Sequence, residues 1–189
     1  MRVLIAPDKF AGTLSAVEAA EAIATGWARQ ARADELDLAP MSDGGPGFVD
    51  VLHAALGGEL LAQTVRGPLG ERVPATVLLC GETAYVESAQ ACGLHLTGGD
   101  GAEAATTYGV GELVMAAVEA GAKTVVVGLG GSGTNDGGAG LLAALGPPRR
   151  APWTPGRPGS TGSRRSTSGP PGPWSSTFVW SPRATWRAR

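Results

Sequence analysis

Two turns of similar make carry the residue types best suited to chemistry. One is Met41-Ser42-Asp43-Gly44-Gly45-Pro46-Gly47; the other is Gly130-Gly131-Ser132-Gly133-Thr134-Asn135-Asp136-Gly137-Gly138. Each places an Asp-Gly-Gly step ahead of an apolar, helix-like segment. Glycine lets backbone N–H groups come close to a ligand, and a helix N-terminus adds roughly half a positive charge. The second turn therefore reads as a site for nucleotide phosphate or a carboxylate anion, with the helix N-terminus near Asn135 facing it. Its contacts would be Gly130, Gly131, Ser132, Thr134, Asn135, Gly137 and Gly138. Asp136 makes sense in such a loop if a metal ion travels with the phosphates. Asp43 and Asp136 are then candidates to converge on one magnesium ion or one substrate hydroxyl, with Ser42, Gly44 and Gly45 beside them. A third element, Asp8-Lys9, follows the first apolar run, at the strand end where open α/β sheets bind ligands. The plainer alternatives are Asx-turn roles for Asp8 and Asp43, a solvated Lys9, and a glycine loop used only for packing.

The elements that must position these residues can be traced along the chain. Residues 124–127 are a short β-branched run, as in a buried strand, and Leu141, Leu142 and Leu145 mark the apolar face of a helix. Between them Gly128, Gly130 and Gly133 match G-x-G-x-x-G, so a dinucleotide-binding oxidoreductase is the alternative to weigh. That fingerprint wants an acidic residue about 20 positions further on, and no Asp or Glu follows Asp136. No Gly-Lys-Ser/Thr follows either, which excludes a P-loop. Residues 2–6 read as a first buried strand. Ser15 and Glu18 form a capping box for a helix with Val17, Ala20, Ala24, Trp27, Ala28 and Ala31 on its apolar face. A second short strand, 36–39, ends at Pro40, and a helix over 48–56 has Pro46 in its first turn. Three β runs, 59–65, 73–79 and 83–87, are separated by turns too short for helical crossovers. They predict a β-rich subdomain over 58–100 or an antiparallel extension. Residues 90–99 read as a connection, and Thr107 as the cap of a helix running to Ala120. Leu113, Val114, Ala117 and Val118 face inward on that helix, and Gly121 closes it. The fold class is α/β, an open sheet with flanking helices.

Composition narrows the function classes. The formal net charge of −2 hides a division: residues 1–146 carry −10 and residues 147–189 carry +8. An acidic body argues against nucleic acid as its partner. No run of 18 apolar residues occurs, and the first strand is too short for a signal peptide, so a cytoplasmic protein with no membrane partner is expected. Cys80 and Cys92 lie in apolar surroundings outside any C-x-x-C motif and read as reduced packing residues. His53 and His95 stand apart from any Cys/His cluster, which argues against structural zinc. Beyond Gly146 lie nine of the 14 prolines and four of the five tryptophans, with no Leu, Ile, Lys, Asp or Glu. Such a segment lacks the means to offset its ordering entropy, so 147–189 is expected to be disordered and unrelated to the body. Its vocabulary is that of G+C-rich DNA read out of frame. A frameshift is the favoured reading, and a basic interaction tail is the other.

Several of these motifs together resemble one known family. APDKFAGTLSAVEAAEAI (6–23), SDGGPGFVDVL (42–52), GPLGE (67–71), TTYGVGEL (106–113) and GLGGSGTNDGGAGLLAALG (128–146) are similar, in order, to type I glycerate kinase. The resemblance covers essentially all of residues 1–146. It implies two α/β domains with the site in the cleft between them. It also implies phosphorylation of D-glycerate by ATP with magnesium, usually giving 2-phosphoglycerate. Carried over by position, it marks Asp8 and Lys9, residues 42–45 and residues 130–138. Lys9 would offset developing charge, and Asp43 or Asp136 would hold magnesium or accept the hydroxyl proton. Ala11 stands where the common family form has a basic residue, and Pro46 and Phe48 stand where it has a glutamate and later a threonine. The family's later motifs, resembling DV-x-NPL and QKGA, have no counterpart here. The 189-residue chain is accordingly expected to be unstable and inactive, a non-catalytic fragment of a kinase.

Overall fold

The computed structural model describes residues 1–146 and 177–180. The chain opens with β1 (Arg2–Ile5), α1 (Ala16–Gln30) and β2 (Glu35–Leu38), and β1 and β2 pair in parallel as a two-stranded sheet. Ser15 caps α1 through its side chain, and Glu18 reaches back to the Ser15 N–H, completing the expected capping box. Parallel strands ordinarily need cover on both faces. Here α1 offers Ala16, Ala19 and Ala20 on one side, and Leu4 remains 67% exposed. The expectation of a buried first strand is therefore corrected: only Ile5 of β1 is buried. The apolar face of α1 is likewise covered only near its start, and Trp27 is exposed, its indole N–H donating to Asp34 at 3.0 Å.

The second unit is a five-stranded sheet in the order β3-β4-β5-β6-β7. After α2 (Phe48–Leu56), strands β3 (Glu59–Arg66), β4 (Arg72–Cys80) and β5 (Thr83–Glu87) form two antiparallel hairpins. They continue directly into the sheet that holds β6 (Thr124–Gly128), whose pairing with β5 is parallel. The crossover between β5 and β6 contains α3 (Ala89–Cys92), α4 (Leu94–Thr97) and α5 (Tyr108–Glu119). Residues expected to be mere connection thus form two single helical turns. The last described helix, α6 (Ala139–Leu145), packs on α5.

Helices lie on both faces of this sheet, as its run of consecutive buried residues, Val77 and Leu78, requires. Val65, Val77, Val86, Leu113, Val114, Ala117 and Val125 form the core beneath α5, with Leu141 and Leu145 of α6 against it. On the opposite face α2 contacts β4 and β5, and Phe48 meets Tyr85 edge-on at 6.4 Å. Leu142 points away from the core and is 65% exposed. Thr177–Trp180 forms β7, antiparallel to β6, from a Thr-Phe-Val-Trp run with high strand propensity. The expected disorder of the rest of 147–189 and the frameshift reading lie outside the described residues.

Candidate functional site

The carboxyl ends of β1 and β6 and the turns before α2 and α6 supply the residues singled out above. Lys9 follows β1, and its ammonium lies 2.9 Å from Asp43 Oδ1 and 3.7 Å from Asp8 Oδ1. The bond to Asp43 raises the Lys9 pKa above its ordinary value, against a smaller opposing effect of burial. Asp43 is held below the usual carboxylate range by the same bond and by the Gly45 N–H, which donates to Oδ1 at 2.8 Å. Asp43 remains open to solvent, with 60% of its side chain exposed. Asp8 Oδ1 accepts the Lys9 N–H at 2.7 Å, and Ser42 Oγ accepts the Gly44 N–H at 3.2 Å. The Ser42 bond is that of a Ser-type turn, and the Asp43 bond to Gly45 is that of an Asx-turn, whereas the Asp8 bond reaches only the adjacent residue.

The two glycine-rich turns touch through their backbones. Gly130 N–H donates to the Gly44 carbonyl at 3.0 Å. A Cβ at Gly130 would lie 2.5 Å from Gly45 N, so only glycine permits this approach. Pro46 also lies against Gly131, whose φ of +74° is in the left-handed region. On the far side of the glycine loop, Leu94 N–H donates to Gly131 O and Gly133 N–H to Cys92 O. Ser132 Oγ and Thr134 Oγ1 are 2.8 Å apart, and the buried Cys92 Sγ lies 3.7 Å from Ser132 Oγ. Burial pushes the Cys92 thiol above its ordinary value, so it is a protonated packing group.

Asp136 is engaged differently. Its carboxylate accepts the backbone N–H groups of Gly138, Thr107 and Gly140 at 2.9, 2.8 and 3.0 Å. The Thr107 hydroxyl lies 2.9 Å from Oδ2 and accepts the Leu141 N–H at 3.0 Å. Burial acts to raise the Asp136 pKa, but the bonds from Thr107, Gly138 and Gly140 outweigh it and leave the carboxyl below its ordinary value. The start of α6 is therefore closed by the chain's own Asp136 and Thr107. Its first N–H groups thus have acceptors within the chain. Thr107 does not cap α5 through its side chain; its hydroxyl is turned to Asp136 and α6. The dinucleotide fingerprint also fails in detail, because the helix opens only at Ala139 rather than at Gly133.

A cavity of about 580 Å3 opens beside Lys9, lined by residues 9–15, by Pro46, Gly47 and Asp50, and by Leu94, His95 and Gly131. It joins the loop after β1, the first glycine turn and the glycine loop after β6. The sequence pattern gave no reason to place His95 or Asp50 there. Among the described residues no group of three or more His, Cys, Asp and Glu could hold a metal ion.

Sequence reasoning missed Glu87. It ends β5, is 5% exposed, and accepts the Gly47 and Val49 N–H groups on Oε2 at 3.1 and 3.3 Å. Burial raises its pKa, while the bonds from Val49, Gln90 and Gly47 pull the other way. An acid closing an otherwise apolar strand was the available signal.

The model of the glycerate kinase family matches residues 3–149. A glycerate kinase of Bacillus subtilis is 47% identical over 150 residues, covering 77% of this chain and 39% of its own. The glycerate 2-kinase of Escherichia coli is 41% identical with the same coverage. An uncharacterised Mycobacterium bovis protein is 54% identical over 152 residues. A solved structure of a candidate glycerate kinase 2 from Salmonella typhimurium superposes with a TM-score of 0.64 at 39% identity, over 77% of this chain and 40% of that one. The chain thus spans about two fifths of the length of the curated relatives it matches. Among the described residues no helix is long and apolar enough to cross a membrane.

Proposed function

The chain belongs to the glycerate kinase family, and on that premise we propose that residues 1–146 supply one wall of a site for phosphoryl transfer from ATP to D-glycerate. The observation that carries this reading is the Lys9–Asp43 pair, seated beside the contact between the two glycine turns and at the edge of the cavity. Phosphoryl transfer needs little covalent help from protein; it needs positioning and charge stabilisation. Lys9, with a raised pKa and a side chain that is only 21% exposed, is a point cation for anionic oxygens. Asp43 is the group to hold magnesium or to take the proton of the attacking hydroxyl. Magnesium, when bound, supplies neutralisation of phosphate charge. The bonds of Asp136 suit it to holding the end of the glycine loop, with Gly130 and Gly131 forming the wall next to the turn of Asp43 and Ser132 and Thr134 behind them. The name of the Escherichia coli relative, glycerate 2-kinase, supports transfer to the 2-hydroxyl. Small-molecule partners and a cytoplasmic setting complete the reading.

Because the chain spans only two fifths of these relatives, the 189 residues alone should not turn over. The test is to splice residues 1–146 onto the complementary part of a curated relative and follow ATP-dependent phosphorylation of D-glycerate by 31P NMR. Formation of 2-phosphoglycerate is the expected result. A folded spliced enzyme that makes none, or a chain that instead enhances NADH fluorescence saturably and ignores ATP, overturns the reading.

A further inference from the structure

We propose that Glu87 is the positioning residue of this site, its buried carboxylate holding the turn that carries Asp43 against the glycine loop. The inference rests on the functional reading of Asp43 given above. Glu87 closes β5 in the middle of the sheet, with β4 on one side and β6 on the other. Its Oε2 accepts the N–H groups of Gly47 and Val49, two of the donors that the start of α2 leaves without intrahelical partners. Gly47, the residue before the helix, has a φ of +92° and no side chain with which to cap it. Glu87 thus provides from another strand the cap that the helix's own sequence lacks.

The next residue extends the connection to the second turn. Ser88 N–H donates to the Gly128 carbonyl at 3.0 Å, fixing the start of the glycine loop against the same strand end. From there Gly130 N–H reaches Gly44 O, and Gly45 N–H reaches Asp43 Oδ1. The strand end at 87–88 is therefore bonded both to the turn before α2 and to the last residue of β6, where the glycine loop begins. Glu87 reaches the site through backbone bonds, of which the one to Gly47 meets the cavity lining. A carboxylate that is 5% exposed is costly unless its bonds are made, and its two backbone donors are the last residue of the turn, Gly47, and the second residue of α2, Val49.

Amide hydrogen exchange on the 189-residue chain tests this without requiring activity. In Glu87→Ala the Gly45 and Gly130 amides, which do not touch Glu87, should exchange about tenfold faster while core amides of β4 and β6 keep their protection. Glu87→Gln, which retains an acceptor oxygen at the same reach, should restore them to within about threefold of the parent. If Glu87→Ala loses its cooperative transition, Glu87→Asp carries the test, since it withdraws the oxygen by one methylene. Faster exchange confined to Gly47 and Val49 overturns the proposal, as does an alanine-like Gln variant. A spliced enzyme without kinase activity would count against the functional reading and leave these exchange outcomes decisive for Glu87.

Discussion

Lys9 Nζ and Asp43 Oδ1 lie 2.9 Å apart, joining the loop after β1 to the turn before α2 across 34 positions of sequence. Each perturbs the other in the direction that favours its charged form. The pair links the two-stranded sheet to the five-stranded one at the edge of the cavity. It brings opposite charge together beside the Gly45 N–H.

If Lys9 offsets charge in the transition state, Lys9→Ala in the spliced enzyme should lower turnover about a hundredfold or more. The KM for D-glycerate should change much less, because the interaction strengthens as charge develops. Steady-state kinetics with both substrates checks this.

Asp136 should behave as a structural residue first. Removing its carboxylate leaves the N–H groups of Thr107, Gly138 and Gly140 without their acceptor, so Asp136→Ala should lose about 2 kcal/mol of stability. Asp136→Asn, which keeps one acceptor oxygen, should lose less. Urea unfolding of the two variants measures the difference, and equal stability of parent and Ala variant would count against the clamp.

Glu87 has a pKa raised by burial, opposed by its bonds and reinforced by nearby Asp50 of α2. The folded chain therefore keeps a proton that the unfolded chain releases near pH 4.3. This contribution is fully present below that value and is lost as pH rises through the higher folded value. The stability of the parent minus that of Glu87→Gln should fall with rising pH across this window, as read by urea unfolding at successive pH values. A difference that grows with pH contradicts the assignment.

Gly130 tests the contact between the turns. An added Cβ meets Gly45 N at 2.5 Å and Gly45 Cα at 2.6 Å, both backbone atoms. Gly130→Ala should therefore cost about 1–3 kcal/mol and displace the amide resonances of Gly44 and Gly45. Unchanged resonances there would show that the contact is dispensable.

Much of this architecture was legible because local chemistry and global fold agree. The Ser15–Glu18 box, the helix beginning at Phe48 and the strand ending at Glu87 follow from side-chain pattern and turn residues. The β1 environment was not legible, since an apolar run signals burial whether or not a second layer is present to cover it. Asp136 was only half legible for a related reason. A carboxylate in a glycine loop has the same sequence signature whether it faces a metal ion or the N–H groups of its own helix, and its bond from Thr107, 29 positions earlier, leaves no mark on residue type. Glu87 went unread because its partners, Gly47 and Val49, are backbone donors about 40 positions away, and backbone donors leave no mark on residue type.

The most direct test of the central claim is Asp43→Asn in the enzyme formed by splicing residues 1–146 to the complementary part of a relative. The variant keeps the shape and one acceptor for the Gly45 N–H but removes the charge. Phosphorylation of D-glycerate should fall by orders of magnitude while the thermal transition stays cooperative. Near-parental turnover in a folded variant would remove Asp43, and with it the Lys9–Asp43 pair, from the chemistry.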